Sequence, residues 1–187
     1  FYQASSSEMF GKSKPPQNEK TLFQPRSVYA ISKVFAYHSV IHYRDAYGLY
    51  ACNGILFNHE SPRRGVNFVT KKIVQGLVRI KQGKQKVLTL GNLYSRRDWG
   101  HANDYVESMW KILQQKKAND FVVATKTSNS VKDFINICAK KLNLKLIWKN
   151  KGLKEIAINK LTNKIIIKVD QKYFRETEVD NLIGDFS

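Results

Sequence analysis

The sequence predicts an α/β fold containing part of a doubly wound sheet, on three observations. An apolar strand opens the chain and runs into small hydroxyl residues (Phe1-Tyr2-Gln3-Ala4-Ser5-Ser6-Ser7), an amphipathic segment follows at Ser27–Tyr47, and a nearly all-apolar stretch comes next at Leu49–Phe57. Strands buried on both faces of a parallel sheet read as continuous apolar runs. Strand, helix, strand in this order makes one half of a doubly wound unit.

Each element has its own warrant. The opening strand reads either as the carboxyl end of a sheet strand delivering hydroxyls to a ligand crevice or as a serine-rich turn. Lys12–Gln24, with Pro15, Pro16 and then Pro25, is a loop. Across Ser27–Tyr47 the residues Val28, Ile31, Phe35, Val40, Ile41 and Tyr43 are apolar at helical spacing, Ser27 is a fitting N-cap and Gly48 a stop. After the strand Leu49–Phe57 the polar stretch from Asn58 to Gly65 reads as a loop at a strand's carboxyl end. Phe68, Ile73, Leu77 and Ile80 make one face of a helix over Val66–Gln82, and Lys86–Leu90 reads as a strand. Gly91–Asp104 mixes glycine, aromatic and charged residues as functional loops do. Helices over Tyr105–Gln115 and Ser130–Leu142 and strands over Phe121–Ala124 and Lys164–Val169 complete the pattern, without internal repeats.

Composition narrows the classes. At 187 residues and 42% apolar content the chain can bury a sizeable core. A formal charge of +17 invites polyanions, yet the basic pairs Arg63-Arg64, Lys71-Lys72, Arg96-Arg97, Lys116-Lys117 and Lys140-Lys141 are dispersed among apolar residues. They read as solvated helix faces, so nucleic acid is not an expected partner. Cys52 and Cys138 sit in apolar stretches without metal-ligand spacing. Reduced, buried thiols in a cytoplasmic protein are expected. No run of about 18 apolar residues marks a membrane span, and no membrane partner is expected.

Chemistry concentrates around Tyr29-Ala-Ile-Ser-Lys33. A tyrosine and a lysine four apart on a helix share a face. A free phenol titrates near pH 10, far from the working range of a general base, and a nearby cation favours its ionised form. An ordinary solvated pair is the competing reading. Adjacent His59 and Glu60 have no third ligand at metal spacing. Arg63 and Arg64 could grip phosphate or simply line an exposed basic loop.

Several blocks together carry a resemblance. They are Tyr2-Gln-Ala-Ser-Ser-Ser-Glu8, Pro25-Arg26-Ser27 before Tyr29–Lys33, Ala51 to Gly65 with its Asn58-His-Glu-Ser-Pro-Arg-Arg-Gly65, Leu90-Gly91-Asn92, Arg97-Asp-Trp-Gly-His-Ala102, and Tyr173-Phe-Arg175 with Glu178-Val179. The chain resembles the carboxyl-terminal part of the GDP-mannose 4,6-dehydratases, extended short-chain dehydrogenase/reductases, over nearly its whole length. The resemblance implies the carboxyl-terminal part of a Rossmann-type doubly wound sheet plus a smaller mixed α/β substrate-binding domain. Residues 1–60 would belong to the NADP-binding domain, and residues 61–187 mainly to the sugar-nucleotide domain with some segments returning.

It also implies NADP-dependent dehydration of GDP-mannose to GDP-4-keto-6-deoxymannose, a step towards GDP-fucose and related deoxysugars. Tyr29 would take the sugar 4-hydroxyl proton, Ser6 would hydrogen-bond the same oxygen, Lys33 would bind the nicotinamide ribose, and Glu8 would remove the C5 proton and then protonate the departing 6-hydroxyl. Glu8 stands two residues beyond Ser6, which on an extended strand puts both side chains on one side. His59 and Arg64 match NADP contacts; Asn58, Arg97, Arg175 and Glu178 match positions that hold the sugar nucleotide. A homodimer or homotetramer is the corresponding assembly.

Two departures stand out: Ser6 replaces the usual threonine, and Glu176 the usual proline. No Gly-x-Gly-x-x-Gly occurs among the ten glycines, so a fragment lacking most of the cofactor site, inactive in isolation, is expected. Other readings are a nucleotide-sugar epimerase or reductase sharing Tyr29 and Lys33, and a non-catalytic basic nucleotide-binding protein. Glu8 separates the first of these, since neither reaction has an elimination step.

Overall fold

Secondary structure follows the alternating pattern closely, with the additions given below. The computed structural model describes residues 1–174 and 177–187. They form two compact units: Phe1–Ser61 with Arg96–Ser128 and Val179–Ser187, and Pro62–Ser95 with Asn129–Glu178.

The first unit is built on a parallel sheet. Strand β1 (Tyr2–Ser6) leads through helix α1 (Val28–Tyr47) to β2 (Cys52–Leu56), and all five β2 residues are buried. β1 and β2 are parallel, Tyr2 opposite Cys52 through Ser6 opposite Leu56. Next come β3 (Asn58–Glu60), helix α2 (Val69–Lys81) and β4 (Leu88–Leu90), the last two in the second unit. β5 (Arg96–His101) pairs parallel with β3, Asn58 opposite Trp99 and Glu60 opposite His101. Helix α3 (Ala102–Leu113) then returns the chain to β6 (Asp120–Val123), parallel to β2 on the side away from β1. Met9, Phe10, Tyr37, Ile55, Phe57, Tyr105, Val122 and Leu182 form the core of this unit.

Two stretches read as loops are therefore strands. Asn58–Glu60 and Arg96–His101 are polar, but each completes the other's backbone hydrogen bonds, a long-range pairing that local composition does not encode. α1 begins after Ser27, whose hydroxyl accepts the Ala30 N–H, and ends at Gly48, which adopts the left-handed conformation a C-cap favours. Its buried face differs from its most apolar one. Ala30, Tyr37 and Val40 are buried while Val28, Ile31 and Phe35 are exposed. Polar pairing sets the helix rotation: Asp120 at the start of β6 accepts hydrogen bonds from the Tyr37 hydroxyl (3.0 Å), Arg44 (3.0 and 3.1 Å) and buried Asn53 of β2 (2.8 Å).

The second unit is mixed. β7 (Ser128–Ser130) runs into helix α4 (Val131–Lys141), followed by β8 (Leu146–Lys149), β9 (Ile156–Asn159) and β10 (Lys164–Val169). The sheet order is β4-β10-β9-β8, with β10 parallel to β4 and the remaining pairs antiparallel. α2 lies against α4, burying Ile73, Leu77, Ile135 and Ala139. Buried Glu155 accepts from Lys132 (2.6 Å) and from the Tyr94 hydroxyl (2.8 Å), and Lys132 also faces the Trp148 ring. β8 and β9 are additional to the sequence-predicted elements; Lys145–Asn159 alternates lysines and apolar residues without a long apolar run.

Candidate active site

Four sequence-predicted residues lie at the carboxyl end of β1 and the start of α1. β1 stops at Ser6 because its hydroxyl oxygen accepts the Glu8 N–H (3.2 Å) and turns the chain into a single 3-10 turn, Ser7–Met9. Ser7 and Met9 are buried, pinning the turn on both sides of Glu8. The strand-alternation argument for Ser6 and Glu8 consequently does not apply, since Glu8 is past the end of the strand. Its carboxylate instead lies 3.8 Å from Nε of Arg97, and both side chains are mostly covered.

Tyr29 occupies the first turn of α1 and is 53% exposed, accessible to a ligand. Lys33 sits one turn on, its Nζ 5.7 Å from the centre of the Tyr29 ring and donating to the Ala4 carbonyl at 2.7 Å. That bond ties the base of the Tyr/Lys pair to β1 two residues before Ser6. One ammonium thus faces both the phenol ring and the strand that carries the hydroxyl.

β3 and β5 supply the next group. His59 Nδ1 is 2.9 Å from the Phe57 carbonyl and donates its proton there when neutral, which leaves Nε2 as an acceptor. The imidazole stacks on Tyr105, centroids 4.7 Å apart at 28°. Tyr105 is buried and its hydroxyl has no protein partner among the described residues; burial pushes the phenol up well above its ordinary pKa, helped by Asp98 and Asp104. The Asn58 side-chain oxygen is also buried without a protein partner. Buried acceptors without partners are costly, and a ligand hydroxyl or amide would satisfy this one.

The block beginning at Arg97 is explained by the same geometry. Asp98 is fully buried and accepts from the Thr125 N–H (2.9 Å), the Thr125 hydroxyl (2.6 Å) and the Gly184 N–H (3.3 Å). Gly100 lies against Tyr105, where a Cβ would overlap the ring. His101 caps α3 by accepting the Asn103 N–H. No group of three or more possible metal ligands occurs among the described residues.

The sequence pattern of the family described as GDP-mannose 4,6 dehydratase matches residues 1–187. The chain belongs to the GDP-mannose 4,6-dehydratase family. Among similar proteins, GDP-mannose 4,6 dehydratase of Drosophila melanogaster is 50% identical over 188 residues, covering 100% of this chain and 48% of that protein. GDP-mannose 4,6 dehydratase 1 of Arabidopsis thaliana is 54% identical over 187 residues, covering 100% and 47%. The chain spans about half the length of these curated relatives. RMD from Pseudomonas aeruginosa, solved with NADPH, is similar with a TM-score of 0.81 at 21% identity, over 100% of this chain and 57% of that one. dTDP-glucose 4,6-dehydratase from Bacillus anthracis, solved with NAD, gives 0.72 at 18%, over 98% and 51%. The fold is the Rossmann-type α/β fold of this group.

Within the dehydratase-family chain, the other expected site residues are distributed as follows. Arg64 belongs to the second unit, with its guanidinium carbon 3.6 Å from the Phe68 ring centre. Glu178 ends that unit and is half-buried. Arg175 lies outside the described residues. The partner missed from sequence is Tyr105, while Asp98 and Gly100 gain their structural roles only in the fold. The family block contains Asp98 and Gly100, so their presence was visible, but the stacking of Tyr105 on His59 joins two separate helix and strand elements. Cys52 and Cys138 are free thiols, and no helix among the described residues is long and apolar enough to cross a membrane.

Proposed function

We propose that this chain carries the catalytic residues of an enzyme that dehydrates GDP-mannose to GDP-4-keto-6-deoxymannose with NADP. Support comes from the family match across the whole chain together with one geometric observation. A carboxylate, Glu8, follows the hydroxyl of Ser6 in a capped turn just past β1, the strand to which the Tyr29/Lys33 pair is tied by the Lys33–Ala4 bond.

Tyr29 takes the proton of the sugar 4-hydroxyl, with Ser6 donating its hydroxyl proton to the same oxygen and the Lys33 ammonium favouring the phenolate. NADP held beside Lys33, His59 and Arg64 would supply the hydride acceptor for C4 and the hydride donor for C6. The 4-ketone acidifies the C5–H bond, and the Glu8 carboxylate removes that proton while the bonding pair enters the enolate. Collapse of the enolate forms the C5–C6 double bond and expels the 6-hydroxyl, which leaves as water with the proton held by Glu8. C5 is then reprotonated by the proton that Tyr29 took from the 4-hydroxyl, relayed through solvent, so the phenol and the Glu8 carboxylate both return to their starting states. His59, with Nε2 as an acceptor, and the unsatisfied Asn58 oxygen suit polar groups of cofactor and sugar nucleotide; Arg64 suits an NADP phosphate, and Arg97, Arg175 and Glu178 are the further sugar-nucleotide positions carried over from the resemblance. Residues 1–60 belong in this reading to the cofactor domain and most of 61–187 to the sugar-nucleotide domain. The active form is a cytoplasmic homodimer or homotetramer, and the 187-residue chain alone is inactive.

The test uses the full-length gene product with NADP and GDP-mannose deuterated at C4. A 4-keto-6-deoxy product carrying the label at C6 is expected. A C4 epimer, or a product without label at C6, overturns the proposal.

A further inference from the structure

We infer that Tyr105 is a positioning residue for His59, its ring forming the platform that fixes the plane of the imidazole presented to the cofactor. The inference rests on the reading that His59 contacts NADP and adds the residue that holds it there.

The platform is assembled across two strands. β3 and β5 run parallel with His59 opposite Gly100, and paired strands lie about 4.8 Å apart, so a side chain at position 100 would be the direct neighbour of the imidazole. Glycine leaves that place open. Tyr105, from the first turn of α3, takes it: a Cβ on Gly100 would overlap the Tyr105 ring and crowd the Thr125 methyl. The ring then lies against His59, with centroids 4.7 Å apart and planes at 28°. The turn that carries Tyr105 is fixed by the His101 cap, which accepts the Asn103 N–H at 3.3 Å. Tyr105 itself is 2% exposed, in the core cluster with Phe57, Val122 and Leu182.

This second contact completes what the first leaves open. The bond between His59 Nδ1 and the Phe57 carbonyl, 2.9 Å long, sets one corner of the imidazole but lets the ring tilt about that corner. A flat face beneath it removes the tilt, because aromatic pairs have preferred geometries. Together they keep Nε2 an acceptor with a set direction. The phenol oxygen is not required for this. It has no protein partner among the described residues, so phenylalanine keeps the platform and loses only a buried, unpaired polar atom. If Tyr105 merely filled volume, an aliphatic replacement would cost stability and leave His59 and the cofactor unaffected.

The test compares Tyr105→Phe and Tyr105→Leu in the full-length gene product, with and without His59→Gln. NADP affinity is measured by fluorescence titration, and the His59 ring nitrogens are followed by NMR with nitrogen-15-labelled histidine. Tyr105→Leu is expected to weaken NADP binding roughly three- to tenfold, the range spanned by one aromatic pair, and to move the two His59 nitrogen signals towards each other as the tautomers mix. Tyr105→Phe should stay within about twofold of the unmodified protein, and in the His59→Gln background Tyr105→Leu should add no more than about twofold. Unchanged affinity and unmoved His59 signals in Tyr105→Leu overturn the inference. So does an equal loss in Tyr105→Phe, which assigns the effect to the hydroxyl, or an undiminished loss in the His59→Gln background. Should Tyr105→Leu not fold, Gly100→Ala displaces the same ring and gives the same comparison. If the unmodified protein forms no 4-keto product, the dehydratase reading fails while these measurements still decide the role of Tyr105; if it binds no NADP, the His59 signals alone decide it.

Discussion

Replacing Asp120 with asparagine tests what holds helix α1 against the sheet. The carboxylate receives two bonds from Arg44, one from Tyr37 and one from Asn53, at 2.8 to 3.1 Å. Arg44 and Asp120 side chains are 17% and 11% exposed. At 3.0 Å and an effective dielectric of about 20 the gross Coulomb attraction is roughly 5 kcal/mol, most of it offset by desolvation. Removing one partner of a buried pair nonetheless costs about 3–5 kcal/mol, because the other charge is left uncompensated. Asparagine keeps the shape and one acceptor oxygen, so a loss of about 3 kcal/mol is expected in urea unfolding followed by circular dichroism. Burial pushes the Asp120 carboxyl up, but the hydrogen bonds from Arg44 and Asn53 more than compensate, and its pKa lies below the ordinary value. Its stabilisation is therefore fully present above the unfolded pKa of about 3.9 and is lost as pH falls through the lower folded value. The gap between wild type and Asp120→Asn should close on acidification. A loss under about 1 kcal/mol at neutral pH, or a gap that widens towards acid, refutes the reasoning.

Three further outcomes follow from the structure. Glu8→Gln in the full-length gene product should lower dehydration at least about 100-fold, within the range for a lost general acid/base, while nicotinamide binding measured by fluorescence titration is retained. Gly100→Ala should cost about 1–3 kcal/mol by overpacking against Tyr105, and the His59 NMR signals should shift as the stacked ring moves. Ser130→Ala removes a capping box in which Ser130 and Asp133 bond reciprocally at 2.9 and 3.0 Å; about 1 kcal/mol of stability should be lost in thermal unfolding.

Local chemistry and tertiary placement divide clearly in this chain. Ser27, Gly48 and the Ser130/Asp133 box mark helix ends through bonds between near neighbours, so those boundaries are legible from residue types. β2 is equally plain, because a strand covered on both faces must be apolar throughout. β3 and β5 were hidden because polar strands depend on each other's backbone and neither declares its partner. The rotation of α1 was hidden as well: counting apolar residues points to Val28, Ile31 and Phe35, whereas the Asp120 network brings the opposite face to the sheet.

For the candidate site, residue identity and spacing alone determined the Tyr29/Lys33 pair and the family blocks, since a helical turn places residues four apart together whatever surrounds them. Only the folded chain decided that Ser6 caps the turn carrying Glu8, that Tyr105 lies under His59, and that Arg97 is held by Val179 facing Glu8. Those contacts join positions far apart in sequence, and such proximity is set by the packing of strands and tail rather than by any local preference.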